Sequence, residues 1–221
     1  MPPEPALIDL DAQATSPLAP AAAEAMRPFL DGRHWNPHSA HRGGRQARAL
    51  LEAARLQVAA ALGEAPEGLV FTSGATEANN LALKGVMELA PGRRLLTFAT
   101  EHSCVREAAL HLERRGTPVT ILPVLPSGLP DLDAYARALA DPRAASPALV
   151  SAMWVNNEIG SIWPIPAMAE MAHGAGALFH TDAAQAFGKL PLAGAGADLA
   201  SLSAHKIGGP KGAAALVLDK R

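Results

Sequence analysis

The chain has 221 residues, enough to bury one sizeable α/β core or part of a larger domain. Its 49% hydrophobic and 18% charged residues exclude a disordered or fibrous protein, and a net charge of −2 supplies no field to draw in nucleic acid or an anionic membrane. The single cysteine, Cys104, rules out an intrachain disulfide and a thiolate-rich zinc site, as suits a reducing cytoplasm.

Residues 1–5 lack the basic start and apolar core of a secretory signal. No later apolar run reaches membrane-spanning length without a charge or proline, so a cytoplasmic protein is expected. Residues 44–62 place Ala47, Leu50, Leu51, Ala54, Val58 and Leu62 on one face with Arg and Glu elsewhere, which predicts a long amphipathic helix. Residues 68–72 then read as a strand, Ser73-Gly74 as a tight turn, and residues 75 to about 89 as a helix. Strand-length apolar runs follow at 95–99, 119–124, 148–155, 177–180, 199–203 and 214–218, with helical pieces between them. This alternation predicts an α/β fold: a mainly parallel sheet flanked by helices. The proline-rich stretch 123–130 reads as a loop, and no shift in composition marks an internal domain boundary.

Three places carry groups with chemistry. Ser73-Gly74-Ala75-Thr76-Glu77 follows a strand and opens a helix, so backbone N–H groups, the helix dipole and the Thr76 hydroxyl converge where a phosphate can sit; the same residues also suit a plain helix cap. In residues 179–185 an apolar strand delivers Asp182 at its carboxyl end, the edge where open α/β sheets bind ligands. A buried Asp there can keep a pyridine nitrogen protonated, or it can cap the next helix. Lys206 follows another apolar strand, beside Ser203 and His205 and before Gly208-Gly209-Pro210. A surface lysine is the ordinary reading. A partly desolvated one has a lowered pKa and can form an imine with a carbonyl cofactor.

The motifs SGATEANNLALKG, TEH, VNNEIG, HTDAAQAFGKLPL and SAHKIGGPKG, in that order, resemble those of the cysteine desulfurases, within the class V aminotransferase group of fold type I pyridoxal-phosphate enzymes. The resemblance runs from about Ile8 to Leu218 and covers the family's first half, so it implies a large domain that is C-terminally incomplete. It assigns residues 1–14 to an arm of the small domain and 15–221 to the cofactor-binding large domain. Lys206 is implied as the Schiff-base lysine for pyridoxal 5′-phosphate, Asp182 as partner of the ring nitrogen, Gln185 as a contact to the ring hydroxyl, and His102 as the residue stacked on the ring and shuttling protons. Ala75, Thr76, Ser203 and His205 are implied to hold the phosphate, and Asn156 to reach the substrate carboxylate or the ring hydroxyl, with Asn157 structural.

The reaction implied is removal of sulfur from L-cysteine to give alanine and a persulfide for iron–sulfur cluster or thio-cofactor assembly, by a homodimer or in partnership with a C-terminal half and a sulfur-acceptor protein. A non-catalytic cofactor-binding partner, a class V aminotransferase and a selenocysteine lyase are the alternatives. In the family the persulfide cysteine and a substrate-gripping arginine lie in the second half; Cys104 sits where a small apolar residue is usual and reads as a small buried side chain. The opening segment 11–17 and Gly208 depart from the family pattern, which bears on substrate contacts more than on the cofactor. His34, His38 and His41 lack carboxylate or thiolate company, so no metal is expected. Absence of the later helices is expected to leave apolar sheet surface uncovered.

Overall fold

The structure, a computed structural model, describes residues 8–32 and 34–219. Residues 1–7 of the expected N-terminal arm lie outside the described residues.

Helices α1 (Pro20–Leu30) and α2 (Arg42–Leu62) lead into β1 (Leu69–Thr72) and α3 (Ala75–Leu89). There follow β2 (Arg94–Phe98), α4 (Ser103–Arg114), β3 (Val119–Leu122), α5 (Leu132–Leu139), β4 (Pro147–Met153), α6 (Ile165–Gly174), β5 (Leu178–Asp182), β6 (Leu199–Ser203) and β7 (Ala214–Leu218). The seven strands form one sheet in the order β1-β7-β6-β5-β4-β2-β3. Strands β3, β2, β4, β5 and β6 pair in parallel, and β7 runs antiparallel to both β6 and β1. The sheet is mainly parallel, as expected. The reversal at β7 follows from its short link to β6, since only an antiparallel neighbour can be joined without a long crossover. The proline-rich stretch is a loop, closed by a bridge between Val124 and Pro130.

Helices cover both faces of the central strands. On one side the alanine-rich stripes of α3 and α4 (Ala78, Ala82, Ala108, Ala109) pack on Leu95, Leu149 and Leu216. On the other, Phe98 stands edge-on to Trp163 with centroids 4.9 Å apart and lies 5.8 Å from Tyr135. The polar atoms of these aromatics are spent on the main chain: Trp163 Nε1 donates to the Gly128 carbonyl at 3.0 Å and the Tyr135 hydroxyl to that of Met168 at 3.0 Å.

The long helix α2 has the expected length, but its apolar face is not wholly covered. Only Gly44, Ala59 and Leu62 are buried, and Leu50 and Leu51 remain 39% and 38% exposed. Helix α1 has no buried residue among those described. Exposed apolar surface was expected on the sheet. It is found at Val70 and Phe71 of β1, Ile121 of β3 and Leu178 of β5, as well as on these two helices, whereas β2 and β4 are buried throughout because α3 to α6 sandwich the central strands.

Phe98 holds the aromatic cluster together and is fully buried. Phe98→Ala is expected to lower unfolding free energy by about 3–5 kcal/mol, read as a lower denaturant midpoint with an unchanged slope.

Candidate active site

The carboxyl ends of β2, β4, β5 and β6 and the N-terminus of α3 meet around a cleft of about 520 Å³. Such a cleft is where an open α/β sheet takes a ligand, near the point where strand order reverses between β2 and β4. Of the nine residues expected at the site, eight line it: Ala75, Thr76, His102, Asp182, Gln185, Ser203, His205 and Lys206.

At one end α3 begins with no side-chain cap. Ser73 cannot serve as one, since its N–H and hydroxyl both donate to Glu77 Oε2, at 2.8 and 2.6 Å. These bonds hold the Glu77 carboxyl below its usual range. The plain helix cap left open by the motif is therefore not what the fold uses, and the first N–H groups of α3 face the cleft with the positive end of the helix dipole. Beside them the buried Ser203 Oγ has no hydrogen-bond partner among the described residues. A buried hydroxyl without a partner is costly, and here it fits an anion that accepts from it.

At the other end Asp182 closes β5. Its Oδ1 accepts from the Ala184 N–H at 3.0 Å and its Oδ2 from Asn79 Nδ2 at 2.7 Å. Its pKa is raised, because burial outweighs the opposing pull of those two donors and of the nearby His102 and Lys206. Behind it His180 lies between the hydroxyls of Ser151 and Ser201, at 2.9 and 3.0 Å, and burial lowers its pKa to about 3, so it is a neutral strut. The sequence reading missed Glu101: its Oε1 accepts from the Met153 N–H at 2.6 Å, and burial raises its pKa well above the carboxylate range. It ties the end of β4 in place as a neutral acid.

Lys206 lies in the single turn after β6. Its Nζ donates to the main-chain oxygens of Gln13 and Ala14 at 2.6 and 2.9 Å, and Gln185 Nε2 donates to the same Gln13 oxygen at 2.9 Å. Desolvation, then the neighbouring Lys189, lowers the Lys206 pKa. The opening segment thus meets Lys206 through its backbone. Ser16 fastens it, donating through its N–H and hydroxyl to the His205 carbonyl, both at 2.8 Å, and accepting from the Gly208 N–H at 2.7 Å. Gly208 has φ +81°, and a Cβ there would stand 3.1 Å from that of Ala19, so this backbone favours glycine.

His102 caps α4. Its Nδ1 accepts from the Cys104 N–H at 3.3 Å and lies 3.0 Å from Cys104 Sγ. Burial raises the Cys104 pKa, so the thiol is protonated at neutral pH. Asn156, the ninth expected residue, does not line the cleft. Its Nδ2 donates to the Thr100 carbonyl at 3.1 Å and its Oδ1 accepts from the N–H groups of Glu158 and Ile159 at 2.9 and 3.1 Å, so it builds the turn. The neighbouring Asn157 lines the cleft instead. Of the three histidines near the chain start, His41 caps α2 through Gly44, and among the described residues no group of three or more His, Cys, Asp or Glu is placed to hold a metal. No helix among them is long and apolar enough to cross a membrane.

The mainly parallel sheet and its lysine- and aspartate-bearing cleft define the large domain of a fold type I pyridoxal-phosphate enzyme. The family described as Aminotransferase class-V matches residues 8–221, and the chain belongs to it. It is 43% identical over 219 residues to the cysteine desulfurase IscS of Rickettsia bellii (strain OSU 85-389), covering 97% of this chain and 52% of that one. It is 48% identical over 216 residues to a cysteine desulfurase of Cereibacter sphaeroides, covering 96% and 55%. Among solved structures it is similar to a NifS-like protein (TM-score 0.89, 35% identity, 95% of this chain and 58% of that one). It is also similar to a protein named SspA in complex with cysteine (TM-score 0.87, 36% identity, 94% and 60%). The chain spans about half the length of the curated relatives it matches. Pyridoxal 5′-phosphate is the cofactor of this family.

His180 titrates near 6.5 when unfolded and near 3 when folded, so between these values the unfolded chain binds the extra proton. Its contribution to stability is complete above the upper value and is lost as pH falls towards the lower. His180→Gln is expected to flatten stability against pH in that window by up to about 1.4 kcal/mol per pH unit, measured by denaturant unfolding at stepped pH.

Proposed function

We propose that this chain is the cofactor-binding part of a cysteine desulfurase, acting on L-cysteine to leave alanine and pass sulfur to a persulfide for iron–sulfur cluster or thio-cofactor assembly. One observation carries the reading: a single cleft sets a partly desolvated lysine and a buried carboxylate against an uncapped helix N-terminus and an unpartnered serine hydroxyl. Those groups suit a cofactor with a carbonyl, a basic ring nitrogen and a phosphate. The relatives named cysteine desulfurase, and a structural neighbour named as a complex with cysteine, favour this amino acid as substrate.

When bound, pyridoxal phosphate supplies an electron-withdrawing ring. The chain's residues supply the rest. The N–H groups of Ala75 and Thr76, the Ser203 hydroxyl and His205 would hold the phosphate. Asp182, an acceptor fixed by two donors, would hold a proton at the ring nitrogen. Lys206, its pKa lowered, has a larger uncharged fraction for attack on a carbonyl. His102 accepts at Nδ1 from Cys104, which leaves its Nε2 to carry a proton towards the cleft. Gln185 would contact the ring hydroxyl, and Asn157, which lines the cleft where Asn156 does not, would reach the substrate carboxylate.

Cys104 is a poor sulfur acceptor, because burial keeps its thiol protonated and only the thiolate is nucleophilic. The accepting thiolate then comes from another segment or chain. That fits residues 15–221 as the large domain with 1–14 as an arm of the small one, working as a homodimer or with a C-terminal half in the cytoplasm and serving a sulfur-acceptor protein. The uncovered apolar faces of α1 and α2 suit such an association. A non-catalytic partner, an aminotransferase or a selenocysteine lyase would share the cofactor site and differ in the product released.

The test is an absorbance spectrum of the protein with pyridoxal phosphate, before and after borohydride. A visible band that borohydride fixes to Lys206, and that is missing in Lys206→Ala, is the expected result; folded protein without the band overturns the reading. Ser203→Ala is expected to weaken cofactor affinity about tenfold, for loss of one hydrogen bond to a charged group.

A further inference from the structure

Asn79 lies wholly buried in the second turn of α3 and does not line the cleft, yet both of its amide hydrogens are committed to groups that do. Nδ2 donates to Asp182 Oδ2 at 2.7 Å and to Cys104 Sγ at 3.2 Å. The sulfur, accepting from Asn79, lies 3.0 Å from His102 Nδ1, which also accepts from the Cys104 N–H. The result is one chain of contacts, Asp182–Asn79–Cys104–His102, joining the carboxylate at the floor of the cleft to the imidazole at its wall.

The orientation of this amide is forced. Turned over, it would set Oδ1 against the carboxylate oxygen at the same 2.7 Å and take away the donor to sulfur. The orientation found leaves Oδ1 buried without a partner among the described residues, a cost that makes sense only if the donors are what the site needs. Asn79 also stands four residues after Ala75, on the same face of α3. The helix whose first N–H groups serve one end of the cleft thereby braces the other end as well.

We propose that Asn79 is a positioning residue for the cofactor ring: one amide hydrogen aims the Asp182 carboxylate into the cleft and the other holds Cys104 against His102. The proposal rests on the cofactor reading above. Burial raises the Asp182 pKa and favours the neutral acid, which could not hold a proton on a ring nitrogen; the Ala184 N–H and then the Asn79 amide act against that shift.

The test compares two ligands by calorimetric titration: pyridoxal phosphate, and its analogue with carbon in place of the ring nitrogen. Wild-type protein should prefer pyridoxal phosphate. Asn79→Leu, similar in volume and without donors, should bind it about ten- to a hundredfold more weakly and bind the carbon analogue as before, erasing the preference. Asn79→Ala, which favours the helix, is read in the same way if the leucine variant does not fold. A folded variant that keeps the wild-type preference, or loses both ligands equally, overturns the role given to Asn79 and leaves the cofactor reading standing. Wild-type protein that binds both ligands equally also overturns it, and wild-type protein that binds neither removes the cofactor reading together with it.

Discussion

A carboxyl group taken out of water at the end of a central strand is the constraint around which this fold is organised. An ionised Asp182 pays heavily for burial unless directed donors replace the lost water. The chain supplies them from two sources: the Ala184 N–H, from the turn that follows β5, and Asn79, from a helix 103 residues earlier. The other buried titratable groups nearby are kept uncharged, His180 by burial between two serines and Glu101 by burial as an acid.

The sheet makes this possible. Parallel pairing of β2, β4, β5 and β6 brings four carboxyl ends to one edge, so residues scattered from His102 to Lys206 meet without long loops. Coverage on both faces keeps water away from the strand interiors. The opening segment then closes over Lys206 through backbone oxygens, and Ser16 and Gly208 fasten it.

Most of the architecture was legible in the residues. Hydrophobic period placed all seven strands to within a few residues, because strands buried on both faces are written as unbroken apolar runs such as Ala-Leu-Val-Ser-Ala-Met. Chain-order motifs picked out eight residues that line the cleft. What stayed hidden depended on direction or on backbone. Asn156 and Asn157 are chemically identical neighbours, and which of them turns inward is decided by the turn's own hydrogen bonds. Gln13 and Ala14 act through carbonyls that any residue would provide. Glu101 reads as a surface acid until its burial is seen. The apolar stripe of α2 was visible in the sequence, but whether anything covers it is a tertiary fact.

Helix α3 is shared between the two ends of the cleft, and a helix does not stretch. It rises about 1.5 Å per residue, so Ala75 and Asn79 are held about 6 Å apart along its axis. Loops at an active site can drift and accommodate; this separation cannot. The element therefore acts as a rigid spacer between the N–H groups at one end of the cleft and the amide that braces Asp182 at the other.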